Sequence, residues 1–131
     1  IAGPTIEFLS AVSDEKLTEL YQGAKALIFC ALEEDFGMVP VEAMGYGVPV
    51  VALKQGGVKE TVQERKTGIF FDKPEVEEVI KALKKFSDMK FDAKIIHQHT
   101  QKFSKKVFIQ KIKAFVEEKY GKNNSLINHK E

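Results

Sequence analysis

Cysteine is almost absent from this sequence of 131 residues, since Cys30 is the only one. A single thiol excludes an internal disulfide framework, which indicates a reducing compartment. Cys30 lies within the apolar run 26–31, and no histidine is paired with it in the sequence. We therefore expect Cys30 to be a small buried residue of the core and not a catalytic thiol.

Long uncharged apolar segments are also missing. The longest run without charge or glycine, near Ala26–Leu32, is far shorter than the roughly 18 residues that a membrane-spanning helix needs. The first residues carry neither the basic stretch nor the long apolar stretch of a secretory signal peptide. These features predict a cytoplasmic protein without a transmembrane helix.

Acidic residues are scarce in the last part of the chain. Residues 81–131 carry 13 basic and 5 acidic side chains, whereas residues 1–80 carry 7 basic and 14 acidic ones. We interpret the basic part as solvated, lysine-rich helix faces. The alternative is a basic surface for a phosphorylated acceptor or for anionic lipid, with peripheral contact at the inner face of a membrane. Because arginine–aromatic interleaving and base-reading motifs are lacking, nucleic acid is not an expected partner.

Apolar runs alternate with helical periodicities, in a composition that is 44% hydrophobic and 30% charged. Such a composition is typical of a globular domain. The patterns predict strands at 5–9, 26–31, 48–53 and 69–71, and helices at 14–23, 40–46, 58–64, 75–86, 92–102 and 105–119. The predicted fold class is α/β, with a parallel Rossmann-like sheet, helices on both faces and helices at the C-terminal end.

The predicted domain is incomplete, because a doubly wound ligand-binding half has about six strands and the patterns here supply fewer. We expect residues 1–121 to be the back part of such a domain, whose front βαβ units lie outside this sequence. Residues 122–131 are polar, and we expect a flexible tail there. The apolar stripe of the last helix, which includes Phe108 and Phe115, is expected to pack on the core.

The segment 33–42 links a buried strand to a helix and is the best candidate for a binding site. In an open α/β sheet, ligands bind beyond the carboxyl ends of the strands, where this segment lies. The backbone of 36–38 brings N–H groups to the start of the helix, and neither Met38 nor Val39 has a side chain that caps them. These groups need water, Asp35 or an external oxygen such as a diphosphate as their acceptor.

Two acidic residues, Glu34 in the loop and Glu42 one turn into the helix, flank this anion site. Carboxylates accept hydrogen bonds from hydroxyls, so a pair of them beside a phosphate site fits a sugar nucleotide, one for the sugar and one for the ribose. Other interpretations remain open. In the first, Glu42 caps its own helix. In the second, Glu34 and Asp35 are acidic residues of a solvated loop.

Two further features carry weaker signals. His97 and His99 are two residues apart, which directs them to different faces of a helix, so we expect exposed polar residues and no metal site. The neighbouring Gly56 and Gly57 mark either a tight turn or a place where the backbone meets a ligand.

The order of these motifs resembles the retaining GT-B glycosyltransferases of the glycosyl transferases group 1 family (family 4), which contains mannosyl- and glucosyltransferases. Glu34 and Glu42, with seven residues between them, are similar to the family's E-x7-E signature. Residues 42–52 resemble its E-A-M-x-x-G-x-P-V-V-A motif, residues 56–60 its G-G-x-x-E turn, and residues 66–71 the strand that begins with Thr-Gly. The resemblance is strong through the helix after the last strand and vague beyond it.

The resemblance implies a role for each residue of the loop. Glu34 would be the catalytic residue, contacting the donor sugar near its reacting carbon as a positioning and charge-stabilising group. Glu42 would hold the ribose hydroxyls, and the backbone of 36–38 would contact the sugar and the diphosphate. The donor-binding residues that it implies are Glu34, Asp35, Phe36, Gly37, Met38, Val39, Glu42 and Gly57.

The reaction implied by the resemblance is retaining transfer of a hexose from a nucleotide sugar to an acceptor hydroxyl, as in polysaccharide biosynthesis. The hexose would be of the mannose or glucose type, and neither a metal ion nor a cofactor would be needed. The pair Glu34-Asp35 resembles the corresponding pair in a subgroup of mannosyltransferases that use GDP-mannose. The alternative donor is a UDP-sugar. The acceptor would be a carbohydrate or a lipid-linked molecule.

The resemblance covers only part of the family's architecture. The arginine and lysine that neutralise the donor diphosphate, and the N-terminal acceptor-binding domain, match no residues of this sequence. We therefore expect part of a C-terminal donor-binding domain, which is inactive alone and has the N-terminal domain of the same protein as its partner. The alternatives are a non-catalytic nucleotide-sugar-binding or interaction module, and another GT-B enzyme such as a sugar-nucleotide epimerase.

Overall fold

The computed structural model describes residues 3–127. Helices and strands alternate along its first part, as the sequence predicts. The helices are α1 (Asp14–Gly23), α2 (Met38–Gly45), α3 (Val58–Thr61), α4 (Val76–Ser87), α5 (Ala93–Thr100) and α6 (Lys105–Ile127), and a 3-10 turn (Gln101–Phe103) joins the last two. The strands are β1 (Leu27–Phe29), β2 (Val50–Leu53) and β3 (Gly68–Phe71).

Within residues 3–127 the strands form one parallel sheet in the order β1-β2-β3. Val50 of the central strand lies opposite Leu27 on one side and Gly68 on the other. Because parallel neighbours need a crossover, a helix follows each of the first two strands. All residues of β2 are buried, as in a strand between two helical layers.

Two apolar clusters, one on each face of β2, form the core. Val50 belongs to a cluster with Met44 of α2 and Ile96 of α5. Its neighbour Val51 belongs to a cluster with Ala82 of α4. Since side chains alternate between the two faces of a strand, helices cover both faces of the sheet. The predicted fold class is therefore confirmed.

Strand β1 lies at the edge of the described sheet and is less buried than predicted. It has three residues, and Ile28 is 48% exposed. Cys30, which follows the strand, is also exposed. The predictions of a core cysteine and of a strand over 26–31 covered on both faces are therefore wrong. The reason is that β1 pairs with β2 alone among the described strands.

The predicted strand at 5–9 is also wrong. These residues have no regular secondary structure, and Phe8 is 81% exposed. An extended segment needs a neighbouring strand to satisfy its backbone N–H and C=O groups, and this segment pairs with none of the described strands.

Helix α6 differs from its prediction in burial and in length. Phe108 and Phe115 on its apolar stripe are 64% and 56% exposed, so the expected packing on the core is wrong. The helix continues to Ile127, past the predicted start of the tail, and residues 128–131 of that tail lie outside the described residues. Among the described helices, none is long and apolar enough to cross a bilayer.

Helix α1 begins where the sequence predicts, whereas α2 begins earlier. The Ser13 Oγ accepts a hydrogen bond of 3.3 Å from the Lys16 N–H and caps α1. Helix α2 begins at Met38 because Gly37, with a φ of 86°, takes the left-handed conformation that glycine tolerates. Pro40 then lies in the first turn, where its missing N–H costs no bond within the helix.

Candidate functional site

The loops after β1 and β2 meet at the carboxyl edge of the sheet, where folds of this class bind ligands. The Gly57 N–H donates a hydrogen bond of 2.8 Å to the Glu34 carbonyl. A Cβ atom on Gly57 would fall inside contact distance of the Asp35 carbonyl and the Phe36 Cα. A Cβ atom on Gly56, which has a φ of 63°, would strike the Glu34 carbonyl. Backbone packing between the two loops therefore requires both glycines.

The carboxylate of Glu34 is turned onto its own loop. Its Oε1 accepts hydrogen bonds from the Gly37 N–H at 2.8 Å and from the Phe36 N–H at 3.4 Å. Glu34 is half-buried, and it is this residue, not the exposed Asp35, that accepts the loop N–H groups. The interpretation of Glu34 as a merely solvated acid is therefore wrong.

The first turn of α2 presents the N–H groups of Met38 and Val39. Pro40 has no N–H, and the Val41 N–H is bonded to the Gly37 carbonyl at 3.2 Å. Gly37, the N-cap residue, has no side chain to cap them, and the Glu34 carboxylate binds the Gly37 and Phe36 N–H groups just before the helix. The Met38 and Val39 N–H groups therefore carry the partial positive charge of the helix terminus, an arrangement that attracts an anion.

Glu42 lies on α2 near Tyr21 of α1. The rings of Tyr21 and Tyr46 stack with their centroids 5.4 Å apart. Burial raises the pKa of Tyr21 above its usual value, and the negative charge of Glu42 raises this pKa further. Among the described residues, Glu42 makes no cap to its own helix, so that alternative is wrong. Its side chain is exposed to solvent.

The structure brings together part of the predicted donor-binding set. The residues in direct contact through hydrogen bonds or backbone packing are Glu34, Asp35, Phe36, Gly37 and Gly57. Met38 and Val39 follow at the helix start, with exposed side chains. Asp35 contributes its carbonyl to the packing against Gly57. Glu42 stands apart, on the part of α2 near α1.

Phe103 reaches this loop and His99 supports it from behind, although the sequence predicted neither role. The ring of Phe103 meets that of Phe36 edge to face, with centroids 5.7 Å apart. Phe103 also meets the ring of His99, whose Nε2–H donates a hydrogen bond of 2.7 Å to the Thr61 carbonyl. These contacts join segments that are distant along the chain, so no local spacing predicts them.

His97 binds a different carbonyl, in agreement with the predicted divergence of the two histidines. Its Nδ1–H donates a hydrogen bond of 2.6 Å to the Gly45 carbonyl at the end of α2. His99 is half-buried, so the prediction of an exposed residue is wrong for it. In the part of the chain that the structure describes, no three His, Cys, Asp or Glu side chains are placed to hold a metal ion.

Comparison with known proteins connects this geometry to a family. The family described as glycosyl transferases group 1 matches residues 2–107. The chain is 32% identical over 121 residues to the alpha-1,3/1,6-mannosyltransferase ALG2 of Rhizomucor pusillus, which covers 88% of this chain and 26% of that protein. It is 42% identical over 84 residues to the corresponding mannosyltransferase of Neurospora crassa, covering 63% of this chain and 18% of that protein.

A bacterial relative is named for a different activity. The chain is 37% identical over 67 residues to a D-inositol 3-phosphate glycosyltransferase of Corynebacterium urealyticum, covering 51% of this chain and 16% of that protein. The chain thus spans about a quarter or less of the length of these relatives. Because the family match extends over most of the sequence, the resemblance is confirmed: the chain belongs to the glycosyl transferases group 1 family.

Proposed function

We propose that this chain is the donor-binding part of a retaining glycosyltransferase, which transfers a hexose of the mannose or glucose type from a nucleotide sugar to an acceptor hydroxyl. Membership of the family supports this proposal, as do relatives named for mannosyl and glycosyl transfer. The observation that carries it is the Glu34 carboxylate, held by the Gly37 N–H at the start of α2. An acidic group beside an anion site suits a sugar joined to a phosphate.

The donor diphosphate is proposed to lie on the start of α2. The N–H groups of Met38 and Val39 would donate to its oxygens, and the helix dipole would favour its negative charge. Gly37 has no side chain to obstruct the approach. The arginine and lysine that the resemblance implies for the diphosphate are assigned to a part of the protein outside this chain. With those groups in place, the proposed reaction needs no metal ion or cofactor.

Glu34 is proposed to act by position and by charge. Its Oε1 holds the loop, and its Oε2 is proposed to meet a hydroxyl of the donor sugar near the anomeric carbon. The carboxylate then stabilises the positive charge that develops on the sugar as the bond to the diphosphate breaks. The acceptor oxygen forms its bond to the anomeric carbon on the face that the diphosphate leaves, and its proton passes to the departing phosphate. The configuration is thereby retained.

Glu42 is proposed to hold the ribose hydroxyls of the nucleotide. Its exposed carboxylate lies on α2, the same helix whose start would bind the diphosphate. Asp35 is proposed to contact the donor through its exposed side chain. Gly57 is proposed to shape the donor site through its packing against the loop, since its N–H is bonded to the Glu34 carbonyl. The pair Glu34-Asp35 and the mannosyltransferase relatives favour GDP-mannose as the donor over a UDP-sugar.

The acceptor side of the reaction is assigned to the rest of the protein. We propose a carbohydrate or lipid-linked acceptor, bound by the N-terminal domain, in a cytoplasmic enzyme with peripheral contact at the inner face of a membrane. The excess of basic residues over 81–131 would favour such a surface. This chain alone would be inactive.

A donor screen of the complete protein tests the proposal. The protein is incubated with UDP-, GDP- and ADP-hexoses and with carbohydrate or lipid-linked acceptors, and release of the nucleoside diphosphate is measured. We expect release with one base in preference to the others, and a product whose anomeric configuration, read by NMR, equals that of the donor.

Each other outcome of the screen is informative. An inverted product would contradict retention. Donor binding without transfer would favour the non-catalytic binding module, and conversion of the donor sugar without an acceptor would favour an epimerase. Neither binding nor transfer with any donor would overturn the proposal.

A further inference from the structure

We infer that Phe103 and His99 are positioning residues for the Phe36–Gly37 turn, and that they set donor affinity from outside the donor site. The inference rests on the proposed function, because it takes this turn as part of the donor site. Phe103 acts through its contact with Phe36 in the turn. His99 acts through Phe103 and through Thr61, which lies behind the turn.

The first contact of this arrangement is between aromatic rings. Phe36 is 39% exposed, and the ring of Phe103 meets it at a centroid distance of 5.7 Å and an interplanar angle of 88°. Phe103 is itself held from two further directions. The ring of His99 lies 5.7 Å away, and the Lys102 ammonium lies 4.7 Å from the Phe103 centroid. Edge-to-face rings and a cation over a ring are both attractive arrangements.

The second contact lies behind the turn. The Nε2–H of His99 donates a hydrogen bond of 2.7 Å to the carbonyl of Thr61, which ends α3 and is fully buried. A Cβ atom on Gly37 would lie 3.1 Å from the Thr61 Oγ1, so the Gly37 backbone rests directly against this side chain. His99 thus contacts both supports of the turn, Phe103 beside Phe36 and Thr61 behind Gly37.

The turn held in this way controls the orientation of Glu34. The two N–H groups that bind the Glu34 Oε1 belong to Phe36 and Gly37. A rotation of the turn therefore moves the carboxylate, and it moves the Met38 N–H that follows. Since the Met38 N–H is proposed to bind the diphosphate, its displacement on loss of Phe103 or His99 weakens nucleotide binding without removing any group that touches the donor.

The variant Phe103→Leu in the complete protein tests the first contact. We expect the donor KM and the Kd of the nucleoside diphosphate to rise about two- to tenfold, since an edge-to-face pair contributes that much to an equilibrium. Phe103→Tyr keeps the ring and is expected to keep donor affinity. In a Phe36→Leu background, Phe103→Leu should add little further loss, because its effect passes through Phe36.

The variants His99→Gln and His99→Ala test the second contact. The glutamine amide places an N–H near the position of Nε2 and can still donate to the Thr61 carbonyl, whereas alanine cannot. We expect His99→Ala to raise the donor KM and His99→Gln to restore part of the affinity. Equal losses in the two variants would contradict a role for the hydrogen bond.

A matched control separates positioning from general stability. Phe86 stacks on Phe91 at 5.2 Å in the cluster around α4 and makes no described contact with the turn. Phe86→Leu is expected to lower the melting temperature and to leave the donor KM unchanged. A rise in KM equal to that of Phe103→Leu would show that the effect is general loss of packing and would overturn the inference.

Amide hydrogen exchange gives a readout that does not require activity. In Phe103→Leu we expect faster exchange in the peptide that contains residues 33–39, with exchange in β2 unchanged. Unchanged exchange in that peptide overturns the inference, even if the enzyme transfers sugar as proposed. If exchange increases as expected but no donor binds to the wild-type protein, the positioning role of Phe103 stands and the proposed function fails.

Discussion

The Gly37 N–H donates a hydrogen bond of 2.8 Å to the Oε1 of Glu34, so the acidic residue is held by the glycine that begins the next helix. Gly37 has a φ of 86°, a conformation that a residue with a side chain adopts only under strain. The same carboxylate therefore stabilises the loop and, in the proposed reaction, contacts the donor sugar. These two roles make different predictions for substitutions of Glu34.

The variant Glu34→Gln should separate charge from loop geometry. The amide oxygen can still accept the hydrogen bond from the Gly37 N–H, but the negative charge is lost. We expect kcat to fall by about 10²–10³-fold, the usual effect of losing one electrostatic stabiliser of a transition state, while nucleotide affinity stays nearly unchanged. Steady-state kinetics and calorimetric titration of the complete protein measure the two effects.

Glu34→Ala is the companion variant. It leaves the Gly37 and Phe36 N–H groups without their acceptor, so we expect an added loss of about 1 kcal/mol in the free energy of unfolding. If Glu34→Gln raised the nucleotide Kd by as large a factor as it lowered kcat, the proposed role of Glu34 in stabilising the transition state would be wrong.

Gly57→Ala should disturb the contact between the two loops. The new Cβ would overlap the Asp35 carbonyl and the Phe36 Cα, and the loop would have to move. We expect a loss of about 1–3 kcal/mol in the free energy of unfolding, together with weaker nucleotide binding. Urea unfolding and nucleotide titration are the measurements.

The matched control for this variant is Gly23→Ala. A Cβ on Gly23 at the end of α1 has no atom within 4 Å, so alanine should leave stability unchanged or raise it slightly. Equal destabilisation by the two variants would show that strain at the loop contact is not the cause.

Glu42→Ala should weaken binding of the nucleotide itself. If its carboxylate accepts hydrogen bonds from the ribose hydroxyls, the loss amounts to about tenfold or more in the Kd, because bonds to charged groups are the strong ones. The change should be seen with the nucleoside diphosphate alone, without the sugar. Unchanged affinity for both UDP and GDP would refute the ribose assignment.

Tyr21 should make stability depend on pH in the alkaline range. The folded state raises the pKa of Tyr21 above its ordinary value of 10.0, through burial first and then through the charges of Glu42 and Tyr46. The folded state thus binds this proton more tightly than the unfolded chain does. Its contribution to stability is present below pH 10.0 and is lost as pH rises through the folded-state pKa.

Melting temperatures measured on both sides of that pH test the prediction. Tyr21→Phe should show a shallower alkaline decline than the wild-type protein. Glu42→Gln removes a negative charge near Tyr21 and brings its folded-state pKa closer to 10.0, so the alkaline loss of stability should be smaller than in the wild type. Identical profiles for the wild type and Tyr21→Phe would contradict the raised pKa.

Local sequence predicted much of the helical framework. Ser13 caps α1 because its hydroxyl and the N–H of Lys16 are neighbours along the chain. The apolar run that became β2 was correctly predicted as a buried strand. The apolar run at β1 has the same pattern and is only partly buried, so the pattern predicted the strand and its position in the sheet decided the burial. The start of α2 was predicted at Pro40, and it moved to Met38 because Gly37 took the left-handed conformation.

The candidate site was predicted in composition and only partly in geometry. Residues of the loop and Gly57 do meet, as expected from the rule that ligands bind at the carboxyl edge of a parallel sheet. The Glu34 carboxylate was not predicted as the acceptor of the loop N–H groups, for which the sequence offered Asp35, water or an external oxygen. The backbone turn at Gly37 decided between them.

The sequence by itself determined the α/β class, the parallel sheet, the position of the loop and the family, because these depend on patterns between residues close along the chain. Only the tertiary structure decided which apolar residues are covered. It left Ile28 and Phe108 exposed, since burial needs a partner that a pattern does not supply. It also brought Phe103 to Phe36, because chain folding, and not spacing, determines which distant segments touch.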